Sequence, residues 1–214
     1  MRKMKDVLKK IKTPYVDTQT LLVLLQEYKK PREYIRRKVI NGELIRLKNG
    51  FFLIRDKIET EAGTTIPYEL VANLLYGPSY VSLEWALSFY GMIPEKVYTI
   101  SSMTLGRNKL FKTSIGDFAY HALSEKCYDV GITQKKNSDF IGSFFIATPE
   151  KAIIDTISKT CKGLNKYELK DELLLSQRMD EEAITQLDKK LLEQIAKVYK
   201  SRSVDNFIEL VGMI

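Results

Sequence analysis

The chain has 214 residues, 44 % hydrophobic and 10 % aromatic, with a formal charge of +7 at pH 7. That composition excludes an intrinsically disordered chain and leaves room for one or two domains. No apolar run approaches the ~20 residues of a membrane span, and the charged start MRKMKDVLKKIK has no apolar stretch of a secretory leader behind it.

The expected location is therefore the cytoplasm, where Cys127 and Cys161, far apart and at no metal-ligand spacing, read as reduced, partly buried thiols. The charge is unevenly placed. Residues 1–60 hold 16 Lys and Arg against 7 Asp and Glu, whereas the rest of the chain holds 18 against 20. The whole positive excess lies in the first quarter, which suggests a basic module joined to a near-neutral one.

In chain order, residues 3–12 read as a short basic helix stopped at Thr13-Pro14. Asp17 or Thr18 can cap a second helix carrying Leu21, Leu22, Leu24 and Leu25. Pro31 opens a third, to about Asn41, and Gly42 ends it. On a helical wheel Ile35, Val39 and Ile40 cluster as the inward side, Tyr34, Arg37, Lys38 and Asn41 face outward, and Arg32 and Arg36 flank the apolar face. In LIRLKNGFFLI, apolar and basic residues alternate around Asn49-Gly50, the preferred pair for a type I′ turn. Leu44–Ile54 is thus expected to be a hairpin with basic side chains near its tip.

Three short helices followed by a hairpin is the order of a winged helix-turn-helix, whose last helix enters the major groove while the wing touches the backbone. A basic run alone is more often a solvated face. The run combined with the helix order and the Asn-Gly turn favours double-stranded DNA as the partner. The expected contacts are Tyr34, Arg37, Lys38 and Asn41 in the groove, Arg32 and Arg36 on nearby phosphates, and Arg46, Lys48 and Asn49 on the wing.

Ile58–Thr65, IETEAGTT, reads as a linker, dividing the chain into a winged helix-turn-helix domain at 1–58 and a larger α+β domain at 66–214. The larger part opens with a helix from Pro67, using Leu70, Val71, Leu74 and Leu75, and a second from Leu83 to Tyr90 capped by Ser82. VYTISSMT, IGDFAYHAL, YDVGIT and SFFIAT carry strand signals and predict a small sheet. Thr148-Pro149-Glu150 starts a helix to about Thr160 whose apolar side is Ala152, Ile153, Ile154 and Ile157. The tail reads as one long helix capped by Asp180, with Ile184, Leu187, Leu191, Ile195 and Val198 at helical spacing, then a last helix over Val204–Val211.

Chemistry-bearing patterns are sparse. The single histidine, His121, sits in a probable strand and is tied to no nucleophile. No phosphate-binding glycine loop is present. Asp117, Asp129, Asp139 and Asp155 are scattered, so a metal-dependent nuclease is the minor reading.

Two blocks carry a resemblance. LLYGPSYVSLEWALSFYGMIPEKVYTISSMT (74–104) and FIATPEKAIIDTI (145–157) resemble the AbiEi family, and GELIRLKNGFF looks like that family's wing. The resemblance spans about residues 15–160 and implies an antitoxin of a type IV abortive-infection toxin–antitoxin system. It implies that the N-terminal winged helix binds inverted repeats in its own promoter and represses it, and that the C-terminal domain opposes a companion nucleotidyltransferase toxin. Catalysis then sits in the toxin, so no catalytic residue, cofactor or metal is assigned to this chain. The alternative is a stand-alone winged-helix regulator whose C-terminal domain serves dimerisation or sensing.

Overall fold

The computed structural model describes residues 5–60 and 63–212. The chain is mixed α+β. The basic quarter consists of α1 (Lys5–Lys10), β1 (Tyr15–Asp17), α2 (Thr18–Leu24), α3 (Pro31–Ile40), β2 (Leu44–Lys48) and β3 (Phe51–Ile54). Asp17 settles the cap of α2: its side chain accepts from the Thr20 N–H at 2.6 Å. Strand β1 was not legible in the sequence. It pairs antiparallel with β3, giving a three-stranded sheet of order β1-β3-β2.

A small core of Leu8, Ile11, Val16, Leu21, Leu25, Tyr34, Ile35, Leu44, Phe52 and Ile54 holds these elements together. The other face of the hairpin is also covered. Leu47, Phe51 and Leu53 join the main core of the chain, because successive strand residues point to opposite faces and here both faces are apolar. The hairpin is therefore sandwiched, not free on one side.

The expected linker holds structure. A helical turn, α4 (Arg55–Ile58), leads into β4 (Glu59–Thr60), which pairs with β5 (Gly63–Thr64). Then come α5 (Tyr68–Leu75), β6 (Ser79–Val81) and α6 (Leu83–Phe89), followed by β7 (Thr99–Thr104), β8 (Lys109–Thr113), β9 (Gly116–Ala122), α7 (Glu125–Tyr128), β10 (Ile132–Lys136) and β11 (Ser143–Ala147). The sheet is larger than expected: six strands in the order β10-β11-β6-β7-β9-β8, with parallel pairs β11–β6 and β7–β9. Strands β6 and β8 escape a pattern search because one is three residues long and the other, KLFKT, is a mostly exposed edge strand. YDVGIT straddles the end of α7 and the start of β10 instead of forming one strand.

Helix α8 (Pro149–Thr160) is capped as the sequence predicts, with Thr148 Oγ1 accepting from Lys151 N–H at 3.3 Å. It packs against α6 and against the tail. The tail is broken where the periodicity predicts one long helix. It comprises α9 (Lys166–Asp171), a π-helical turn at Glu172–Ser176, α10 (Glu181–Thr185), α11 (Lys189–Tyr199) and α12 (Arg202–Val211). The break has a local cause: Asp188 accepts from the Lys190 and Leu191 N–H groups at 2.9 and 3.1 Å, which starts a new helix. Gly131, at φ 82°, passes so close to α8 and α11 that a Cβ there would lie 2.9 Å from Lys151 Cβ and 2.7 Å from Ile195 Cδ1. Among the described residues no helix is long and apolar enough to cross a membrane.

Candidate functional site

Helix α3 turns a different face inward from the one its apolar residues suggest. Tyr34, Ile35 and Lys38 are buried, Val39 is half-buried and Ile40 is 70 % exposed. Tyr34 and Lys38, expected to face a groove, are core residues. Their neighbours explain the preference. The Tyr34 ring stacks at 5.5 Å on Tyr28 and receives the Lys38 ammonium at 5.6 Å. That ammonium also pairs with the Glu43 carboxylate. A lysine whose ammonium sits over an aromatic ring and beside a carboxylate keeps partners for its charge when it is drawn inward. Burial, and then Tyr28 and Glu43, push the Tyr34 hydroxyl up to about 12.

The outward surface of α3 holds Arg32, Glu33, Arg36, Arg37 and Ile40, with Asn41 at its end. Arg37 donates to Glu33 Oε1 at 2.8 Å and Lys30 reaches the same carboxylate at 3.7 Å. Arg32 and Arg36 meet no acidic side chain among the described residues. The end of α3 is tied down by Arg55, whose Nε donates to Gly42 O at 2.6 Å.

The hairpin presents less charge than expected. Arg46 is exposed, with its guanidinium 5.9 Å from the Phe52 ring. It shares the face of Leu44, Phe52 and Ile54, the side on which α3 packs. Lys48 is not a free cation. Its Nζ donates to Leu74 O at 3.3 Å and Leu75 O at 2.5 Å, closing the last carbonyls of α5, where a helix end is negative. Burial and the nearby Lys109 lower its pKa.

The turn is not type I′, since only Gly50, at φ 78°, is left-handed and Asn49 is not. A register shift between Arg46 and Lys48 accompanies it. Gly50 O accepts from Thr18 N–H at 2.8 Å, so the tip lies back on the start of α2. Asn49 remains exposed. Six of the nine expected contacts are thus at the surface: Arg32, Arg36, Arg37, Asn41, Arg46 and Asn49.

A second polar cluster, which sequence reasoning missed, lies inside the larger part. Lys151 and Asp155, one turn apart on α8, are both fully buried. Asp155 accepts from Tyr80 Oη at 3.0 Å, Ser82 Oγ at 2.6 Å and Tyr199 Oη. Lys151 Nζ donates to Tyr199 Oη at 2.7 Å and to Cys127 O, and lies 4.6 Å from the Tyr199 ring centroid. Ser82 caps α6 by position, but its hydroxyl serves Asp155. Leu83, at φ 58°, turns β6 into α6 within one residue. Burial pushes the Asp155 carboxyl up and the Lys151 ammonium down, while each charge opposes the shift in the other. The cluster joins the two sequence blocks, 74–104 and 145–157, to α11. The available signal was a lysine and an aspartate at i, i+4 in a helix otherwise apolar on that side.

Two further features complete the surface. A cavity of about 600 Å³ lies beside α5, lined by Leu70, Leu74, Tyr128, Asp129, Gln134 and Phe145 among others. His121, on β9, shares a hydrogen bond of 2.6 Å with Lys159 Nζ, and burial and that ammonium lower its pKa to about 4. Among the described residues no three His, Cys, Asp or Glu side chains converge as a metal site. Scanned against protein-family models and searched against curated proteins, the chain matches none.

Proposed function

We propose that the chain is a sequence-reading DNA-binding repressor built on an N-terminal winged helix-turn-helix. The carrying observation is the solvent-facing set Arg32, Arg36, Arg37 and Asn41 on α3, beside exposed Arg46 and Asn49 on the hairpin. The order α1, β1, α2, α3, β2, β3, three helices ahead of a hairpin, supports this reading. Guanidinium groups on this surface suit phosphates and guanine edges, and the carboxamide of Asn41 suits adenine.

With the AbiEi-like blocks, this reading extends to an autorepressor that binds inverted repeats in its own promoter and acts as antitoxin to a nucleotidyltransferase toxin. The test is a gel-shift titration of the chain's own upstream DNA against scrambled DNA across a salt series. A preferential shift that survives physiological salt supports the proposal. Equal shifts that vanish together with salt reduce the surface to a basic patch.

A second reading, a stand-alone regulator with a sensing domain, is favoured by the cavity beside α5, which has the volume of small-molecule sites. The neighbouring open reading frame separates the two: a nucleotidyltransferase there supports the antitoxin.

A further inference from the structure

We infer that Ile40 is a specificity-determining residue that reads the C5-methyl of a thymine in the operator. The inference rests on the reading of α3 as the helix that enters the major groove, and it names what that helix selects. On a wheel of about 100° per residue, Ile40 lies between Arg36 and Arg37 on the outward side of α3. It is 70 % exposed and belongs to neither core cluster. The residues that fill the inward side, Tyr34, Ile35 and Lys38, leave it no place in the module's core. Ile40 is thus an exposed apolar side chain beside charged ones, at the C-terminal end of α3.

A groove-facing position constrains what it can meet. The edges of base pairs in the major groove offer donors, acceptors and one apolar group, the thymine methyl. Arg36 and Arg37, on either side of Ile40, can bond to phosphate or guanine, but a branched aliphatic chain cannot. An aliphatic side chain set against the groove beside Arg36, whose guanidinium meets no acidic side chain among the described residues, gains from covering that methyl and loses by desolvating any other base edge.

The test uses the full chain and a duplex that it selects from a random-sequence pool. Each thymine of that duplex is replaced in turn by deoxyuridine, which deletes the methyl and nothing else. Affinities are measured for the native chain and for Ile40→Ala at fixed salt. The expected result is one thymine per half-site whose methyl is worth about fourfold to the native chain, the value of burying one such group, and nothing measurable to Ile40→Ala. Because Ile40 is exposed, the variant should melt with the native chain, and this is checked in parallel. If the native scan is flat, or if Ile40→Ala stays equally sensitive at the same thymine, the inference is wrong while the DNA-reading function stands. If no sequence is enriched from the pool, the function proposed above fails, and this inference fails with it.

Discussion

Lys151 and Asp155 face each other across one turn of α8 with no exposed surface, Nζ 3.9 Å from Oδ1, and share Tyr199 as a common partner. The separation exceeds a direct hydrogen bond, so the tyrosine hydroxyl links them, accepting from the lysine and donating to the aspartate. Through this pair the strand β6, the helix α8 and the helix α11 are fixed to one another.

Removing Asp155 alone should cost more than removing both charges. Asp155→Ala leaves a buried ammonium without its counter-charge and three hydroxyls without their acceptor, a loss of about 3–5 kcal/mol. Replacing both charges, as Lys151→Met with Asp155→Leu, should recover the part due to the uncompensated ammonium and leave the part due to the three hydroxyls. Urea midpoints of the two variants decide it. An Asp155→Ala midpoint close to the native one would show that the cluster does not hold the fold.

Arg36 and Arg37 should act on DNA and not on stability. The double change to Ala is expected to weaken operator binding and to reduce the slope of log affinity against log salt by about 1 for each phosphate left without its guanidinium. The melting temperature should stay within a degree or two. Binding unchanged at every salt concentration would remove α3 from the interface.

Lys48 should behave in the opposite way. Its ammonium closes α5 at Leu74 O and Leu75 O, so Lys48→Ala is expected to cost about 1 kcal/mol, the worth of hydrogen bonds to a charged group reduced by solvent screening. The salt slope should barely move, because that charge is already engaged by the last carbonyls of α5. A variant of native stability with a shallower slope would return Lys48 to the DNA-binding surface.

His121 gives a pH dependence with a definite sign. In the fold it takes a proton only near pH 4, whereas its ordinary value is 6.5. Between those values the unfolded chain binds the proton and the folded chain does not, so stability falls as pH drops from about 6.5 towards 4. Partial exposure discounts the effect to about 1–2 kcal/mol. His121→Gln, which keeps a hydrogen-bonding group, should lose that much less between pH 7 and pH 4.5 in guanidinium unfolding. Parallel losses in both proteins would refute the assignment.

Local chemistry determined much of this protein from sequence alone. The pattern Thr148-Pro149-Glu150 set the start of α8, Pro31 and Gly42 bracketed α3, and Asn49-Gly50 marked the hairpin turn. Each works through atoms a few residues apart, so no distant partner is needed to read it. The uneven charge was equally plain. What the tertiary structure alone decided is which groups are consumed by long-range contacts. Lys38 is drawn inward by Tyr34 and Glu43, and Lys48 is spent on the end of α5. Ile40 is left outside because two better-partnered residues occupy the inward face. A helical wheel ranks residues by apolarity, but burial also depends on whether a charge finds its match, and the matches here lie across turns and 27 residues along the chain.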